Sequence, residues 1–250
     1  MTRTAPIPVG VALGTIGLEG DAWLRAASRL ATGQIDRLWI WDHLMGRGAP
    51  ERSVLEATTL AAAALALSPN LHVGTLVLDV TKRHPALTAK IAATLDAIAP
   101  GRFTLGIGAG GDAAEHDALG MPCGEVGERI AALSEQVAVA VAAGIDRSRI
   151  VVDPGLGFAK NIEENWELVA RLDELKNLGL PILVGASRKR FLAAALDEEN
   201  PAGVTNGRRD VATAVLTALL LQRGLWGVRV HNVELTADTI AIVKKLKESL

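Results

Sequence analysis

Residues 71–111 read LHVGTLVLDVTKRHPALTAKIAATLDAIAPGRFTLGIGAGG, and this stretch decides the fold class. Leu71–Leu78 is a continuous apolar run. Pro85 opens a helix, since the first helical position needs no backbone donor, and that helix stops before Pro100-Gly101. Phe103–Ile107 is a second apolar run. Continuous apolar runs mark strands buried on both faces. Strand, helix, strand in that order is the repeat of a parallel sheet with right-handed crossovers.

The alternation extends outward. Upstream lie strand Val9–Leu13, a helix from Asp21 to about Ala31, and strand Arg37–Trp41. Ser53-x-x-Glu56 reads as a capping box opening the Ala-rich helix that ends near Leu67. Downstream, a long polar loop leads to a helix over Glu125–Ala143. Strand Ile150–Val152, an Asn161-capped helix through Leu178, and strand Pro181–Val184 follow. Helices near Arg190–Leu196 and over Asp210–Arg223, strand Val228–Val230 and a helix opened by Thr236 complete the chain. Seven strands are evident, with an eighth sought in 108–123. The expectation is an α/β, TIM-type (βα) barrel, one barrel domain over residues 1–250.

Hydrophobic residues make up 49% and charged residues 22%, which excludes wholesale disorder. There is no Tyr, so the core falls to Ala, Leu, Val and Ile. A net charge of −2 carries no general nucleic-acid footprint. Cys123 is the only cysteine, which excludes an intramolecular disulfide and a cysteine-cluster metal site. That suits a reducing, cytoplasmic setting. The opening MTRTAPIPVG has no apolar h-region, and the longest apolar run, Leu60–Leu67, is too short to span a bilayer.

Polar residues gather after the strands, where parallel α/β folds build their sites. The sharpest signal is Ser187-Arg188-Lys189-Arg190, three cations directly after a buried strand. With Arg229 and His231, alternate residues of one strand, they suit a phosphate or pyrophosphate. A solvated basic loop explains the same spacing equally well. Asp153 before Pro154-Gly155 reads more readily as a turn former than as an acceptor for a donor-rich heterocycle. His43, after Asp42, reads either as a rim histidine or as a general acid or base. The Gly106–Gly111 run resembles a dinucleotide loop only superficially, because Asp112–Gly120 does not open a clean helix. Ser187 shows no base partner in sequence, and no histidine has metal-like partner spacing.

Two resemblances divide the chain. From about residue 7 to 131, DRLWIWDHL (36–44), LHVGTLVLD (71–79), the run from His84 to Gly111 and EHDALGMP (115–122) resemble luciferase-like flavin or deazaflavin oxidoreductases. That resemblance implies a catalytic role for His43 and places Gly106, Gly108 and Gly110 beside a cofactor. From about 138 to 247, AAGIDRSRIVVDPGLGFAKN (142–161), LPILVGASRKRFL (180–192) and GRRDVATAVLTALLLQRGLWGVRVHNV (207–233) resemble dihydropteroate synthase. It implies that Asp153 and Lys189 hold a pterin ring, and that Ser187 and Arg188 lie near an aminobenzoate. It also implies that Arg229 and His231 bind the pyrophosphate, with Phe158 in a substrate-facing loop. The magnesium-binding Asn of that family's first strand has no match in VGVALGTIG, Asp79 stands in for its third-strand Asp by position only, and Asn232 replaces an acid.

These departures lead to the expectation of two half-barrels, 1–134 and 135–250. They would form a recombined or designed scaffold without intact parental catalysis that keeps a phosphate or pterin-pyrophosphate site. A dihydropteroate synthase and a flavin or deazaflavin oxidoreductase are the alternatives. The expected ligand is a small anion or a pterin; no flavin, other resident cofactor, metal, nucleic acid or membrane is expected. Strand edges exposed at an open seam would favour a homodimer.

Overall fold

The structure is a computed structural model that describes residues 8–32, 35, 37–46, 49–158 and 160–249. Most of the opening MTRTAPIPVG, and Asp36 at the start of the 36–44 stretch, lie outside the described residues. The chain forms two compact units, Met1–Val151 and Val152–Leu250.

The first unit contains strands β1 (Gly10–Leu13), β2 (Arg37–Ile40), β3 (His72–Thr75), β4 (Leu78–Asp79) and β5 (Phe103–Gly108). Its helices are α1 (Gly20–Ala31), α2 (Ala57–Leu67), α3 (Pro85–Ile98), α4 (Ala113–Leu119) and α5 (Val126–Ala142). β1, β2, β3 and β5 pair in that order, all parallel. The core is small and aliphatic as composition demands: Leu38, Ile40, Ala61, Leu65, Leu71, Leu105 and Ile107 are buried, and Trp23, Trp39 and Phe103 are large exceptions. The Trp23 indole N–H donates to the Gly14 carbonyl, 3.1 Å, which satisfies its one polar atom.

The expected third strand is two strands. The Thr75 hydroxyl donates to the Gly106 carbonyl and accepts from the Gly106 amide, at 2.8 and 3.0 Å. A side chain thereby replaces the backbone rung, and the ladder resumes only at Leu78↔Ile107. This split supplies the eighth strand, not residues 108–123, which instead hold α4 with Asp112 at its N-cap. The Ser53 capping box does not form either. Glu56 itself caps α2, accepting from the Thr58 and Thr59 amides at 3.0 and 2.7 Å.

Strand β6 (Ile150–Asp153) runs across the boundary. The second unit holds α6 (Ile162–Ala170), α7 (Leu172–Lys176), β7 (Leu183–Val184), α8 (Arg190–Leu196), α9 (Asn206–Gln222), β8 (Gly227–Val228) and α10 (Val233–Lys247). β7 and β8 are parallel, and Val152 bridges Ile182 in the same sense. Asn161 caps α6 as expected, through a capping box with Glu164. The helix expected through Leu178 breaks at Arg171, and α9 starts at Asn206, capped by Thr205, ahead of the expected Asp210. α10 is opened by Asn232, not Thr236; the Asn232 carboxamide oxygen accepts from the Leu235 amide at 3.1 Å.

The first unit is clamped by charge. Asp42, its side chain 1% exposed, receives both outer nitrogens of Arg83 at 2.6 and 2.7 Å and the Asp79 amide at 2.9 Å. Arg83 also reaches Glu56, 3.0 Å. Burial pushes the Glu56 carboxyl up, but the Thr59 and Thr58 amides and hydroxyls bring it down to about 2. Its contribution is therefore complete above the ordinary value of 4.5 and is lost as pH falls toward about 2. Asp42→Ala strands a buried guanidinium and is expected to cost about 3–5 kcal/mol. Glu56→Ala removes mainly a cap, about 1 kcal/mol. Urea unfolding of both variants measures the difference, and Glu56→Ala should also lose part of the acid sensitivity between pH 4.5 and 2.

Candidate functional site

In the second unit, the sequence-predicted residues come together around the ends of β6, β7 and β8. Asp153 closes β6 and is buried. Its Oδ1 accepts from the Gly155 amide at 2.8 Å, which is the expected turn. Its other oxygen accepts no hydrogen bond among the described residues. Burial pushes the Asp153 carboxyl up, and the Gly155 amide and the charges of Arg229, Lys189 and Lys160 pull against it. The turn expected from the sequence therefore forms, and it uses one of the two carboxylate oxygens.

The loop after Asp153 is fixed by its own backbone. The Gly157 amide donates to Asn165 Oδ1, 2.6 Å, while Lys160 Nζ donates to the Gly155 and Phe158 carbonyls at 3.2 and 3.4 Å. Gly157 has φ +69°, and a Cβ there would sit 2.5 Å from Lys189 Cδ. Only glycine lets the Lys189 stem pass. Lys189 Nζ lies 3.5 Å from the centroid of the Phe158 ring, a cation–π contact.

The three consecutive cations do not act as one cluster. Arg188 has left-handed backbone, φ 59°, and its Nε and Nη2 both meet Asp210 at 2.8 Å. The Asp210 carboxylate holds Arg188 above the ordinary guanidinium range. Its charge serves to pin the loop onto α9, where its amide also meets the Thr213 hydroxyl at 3.3 Å. Arg190 is the first residue of α8. Non-glycine left-handed backbone costs free energy and persists where the surroundings over-determine it.

Arg229 and His231 are not alternate residues of one strand, because β8 ends at Val228. Arg229 still continues the ladder, its amide donating to the Val184 carbonyl at 3.0 Å. Its guanidinium packs over Gly185, where a Cβ would meet Nη2 at 2.9 Å. His231 returns to Ser187: its amide donates to Ser187 Oγ at 3.2 Å, and its Nδ1 lies 2.9 Å from the same oxygen. Ser187 therefore does have an imidazole partner, contrary to the sequence reading; the partner is 44 residues away, and no local spacing carries it.

In the first unit, His43 Nδ1 lies 3.2 Å from Glu115 Oε2, a partner that sequence reasoning missed. EHDALG holds Glu115, but only the fold shows what it faces. Glu115 also accepts from the amides of Leu44 and Met45 and from Lys82 Nζ. Burial pushes its carboxyl up; the His43 ring, Lys82 and the Leu44 amide bring it down to about 2. Ligand atoms of His43, Asp112 and Glu115 lie within 4.8 Å of one another. Lys82 Nζ lies 2.7 Å from Glu115 Oε2, its side chain 2% exposed.

The glycine run is packed closely against the chain's own residues. A Cβ at Gly106 would strike the Thr75 carbonyl, and one at Gly110 would strike the Asp79 carboxylate. Gly108 pairs with Asp79 in the ladder. Each of these glycines lies against the chain's own neighbouring strand. Asp79 is likewise spent locally, accepting from the Thr81 amide at 2.9 Å. No helix among the described residues is long and apolar enough to cross a membrane.

Comparison with known proteins places these geometries. Residues 111–231 match the family model described as pterin binding enzyme. The chain is 50% identical over 104 residues to the dihydropteroate synthase of Mycobacterium leprae, covering 42% of this chain and 37% of that protein. It is 40% identical over 124 residues to that of Staphylococcus haemolyticus, covering 50% and 45%. The chain thus spans less than half the length of the curated relatives it matches. In three dimensions, dihydropteroate synthase from Vibrio fischeri aligns over 98% of this chain and 95% of that one, with TM-score 0.64 and 18% identity. The Xanthomonas albilineans enzyme in complex with 7,8-dihydropteroate aligns over 97% and 94%, with TM-score 0.58 and 24% identity. At such identities the likeness shows the fold, a (βα) barrel. The expectation of a recombined or designed scaffold without parental catalysis is overturned: the family match begins at residue 111, inside the expected 1–134 half, and the sequence relatives are named dihydropteroate synthase. Residues 111–231 thus match the family model described as pterin binding enzyme, and the fold is similar to that of the dihydropteroate synthases.

Proposed function

We propose that the chain binds a pterin pyrophosphate in its second unit and acts as a dihydropteroate synthase. The observation that carries this reading is Asp153, a buried carboxylate with one oxygen uncommitted among the described residues and three cations facing it. A carboxylate only accepts hydrogen bonds, so it calls for a ligand rich in N–H donors. A pterin ring is such a ligand. The family match over 111–231 supports the same ligand class.

In the reaction, the amine nitrogen of 4-aminobenzoate bonds to the pterin methylene carbon. The bond from that carbon to the pyrophosphate oxygen breaks, and the amine loses a proton. Asp153 holds the ring donors and Lys189 its acceptor edge. Arg229 and His231 receive the leaving pyrophosphate, where a planar fork suits phosphate oxygens. Ser187 and Arg188 border the aminobenzoate, and Arg188 acts by keeping the loop in its left-handed turn on Asp210. Phe158 gives Lys189 a resting place that the ligand takes over. The family's first-strand metal ligand does not fit here: Gly10-Val11-Ala12-Leu13 offers no side-chain oxygen. Leaving-group charge therefore falls on Arg229 and its neighbours.

Two measurements test this. Calorimetric titration with pterin pyrophosphate should give saturable binding that Arg229→Ala weakens about 10- to 100-fold, the loss of hydrogen bonds from a charged donor. Pyrophosphate release on adding 4-aminobenzoate should follow; binding without release leaves a pterin-binding protein and refutes the synthase activity. Asp153→Asn should abolish pterin binding yet raise stability. The raised carboxyl pKa means that the charged form is destabilising at neutral pH and that the penalty vanishes as pH falls below the ordinary value of 3.8. Urea melts at pH 7 should favour the variant, and the gap should close in acid.

A further inference from the structure

Ser187 has a single hydroxyl proton, and the hydrogen bonds around it decide where that proton goes. Its oxygen accepts from the His231 backbone N–H, 3.2 Å, a bond with only one direction. The remaining neighbour is His231 Nδ1 at 2.9 Å. If Nδ1 carried a proton, both it and the backbone amide would donate to Oγ, and the hydroxyl proton would have no acceptor. Ser187 is 6% exposed, so an unused donor there carries a desolvation penalty. Donation from the hydroxyl to Nδ1 leaves nothing unpaired.

We propose that Ser187 is a positioning residue that fixes His231 as the neutral tautomer, with Nδ1 accepting and Nε2–H as the ring's donor to a phosphate. The proposal rests on reading Arg229 and His231 as the anion site. Its consequence is that His231 serves a pyrophosphate without needing the imidazolium form, so its share of binding does not fade above neutral pH.

The charges around the ring agree with this. Burial, and then Arg188, Arg229 and Lys189, hold the imidazolium below its usual range; Asp210 on α9 opposes them. Arg188 is itself tied to Asp210 at 2.8 Å, which reduces what that carboxylate can do for the ring. A histidine among three cations makes a poor additional cation and a good neutral donor.

The test has two arms. Nitrogen-15 NMR of the histidine-labelled, ligand-free chain should show His231 with a bare Nδ1 and a protonated Nε2 at pH 7.5; a protonated Nδ1 overturns the proposal. Affinity for inorganic pyrophosphate is then compared between wild type and Ser187→Ala from pH 5.5 to 8.5. The ratio of the two affinities cancels the ligand's own ionisation. It should reach roughly tenfold at pH 8, the worth of one oriented hydrogen bond, and shrink as the pH is lowered and the freed ring takes up a proton, which lets it donate from either nitrogen. Ser187→Thr, which keeps the hydroxyl, should restore wild-type affinity. A ratio that does not change with pH marks a merely structural serine and overturns the proposal. Wild type that binds no pyrophosphate, but shows the bare Nδ1, refutes the proposed function and upholds the tautomer assignment.

Discussion

Burying the Asp153 carboxylate is the constraint that the second unit is arranged to meet. A carboxylate out of water is costly unless it is paired and hydrogen-bonded. Here the solution is incomplete by construction. One oxygen takes the Gly155 amide, and Arg229, Lys189 and Lys160 face the charge, yet burial still dominates. Each cation is held by something else. Lys160 binds the Gly155 and Phe158 carbonyls, Lys189 rests on Phe158, and Arg229 extends the β7 ladder through its backbone. Among the described residues no closed ion pair joins these cations to Asp153, so the carboxylate keeps acceptor capacity for a ligand.

The first unit makes the contrast plain. Two of its buried carboxylates, Asp42 and Glu115, are saturated from within. Both Asp42 oxygens meet Arg83, and one also takes the Asp79 amide. Glu115 spends one oxygen on two backbone amides and the other on His43 and Lys82. Such networks rigidify a fold, and breaking one partner is expensive, but they leave no place for a ligand to complete. Burial of charge alone therefore does not mark a site; the difference lies in whether the lone pairs are already used.

Legibility in the sequence follows the range of the interaction. Asn161 as a cap, the Pro85 helix start and the continuous apolar strands were readable because each rests on neighbours within one turn or one pleat. The failures have partners far along the chain. The Thr75 hydroxyl interrupts a ladder by bonding to Gly106, 31 residues away, and so divides one apolar run into β3 and β4. Gly106 and Gly110 resembled a cofactor loop because close backbone approach looks the same in sequence whether a ligand or Thr75 and Asp79 make it. The SRKR run reads equally as an anion patch or a solvated basic loop, and the partner of Arg188, Asp210, lies 22 residues on, beyond what that spacing carries. The Asp153 position was legible; that its turn bond leaves the second oxygen uncommitted was not.

Asn232 shows how a departure from a family pattern is absorbed. The resemblance predicted an acid there, and its loss read as a charge missing beside the anion site. In the fold Asn232 is the N-cap of α10, a task asparagine performs as well as aspartate. Its amide group also approaches Asp210 at 3.5 Å, a donation that an aspartate could not make. Asp210 then carries Arg188 and an amide, with no second carboxylate to repel it. The substitution preserves the helix start and removes a negative charge three residues past Arg229 and one past His231, the groups that would meet a polyanion. Both consequences favour an anion at that place, so the departure from the family pattern is a reason to expect the pyrophosphate site, not a reason to doubt it.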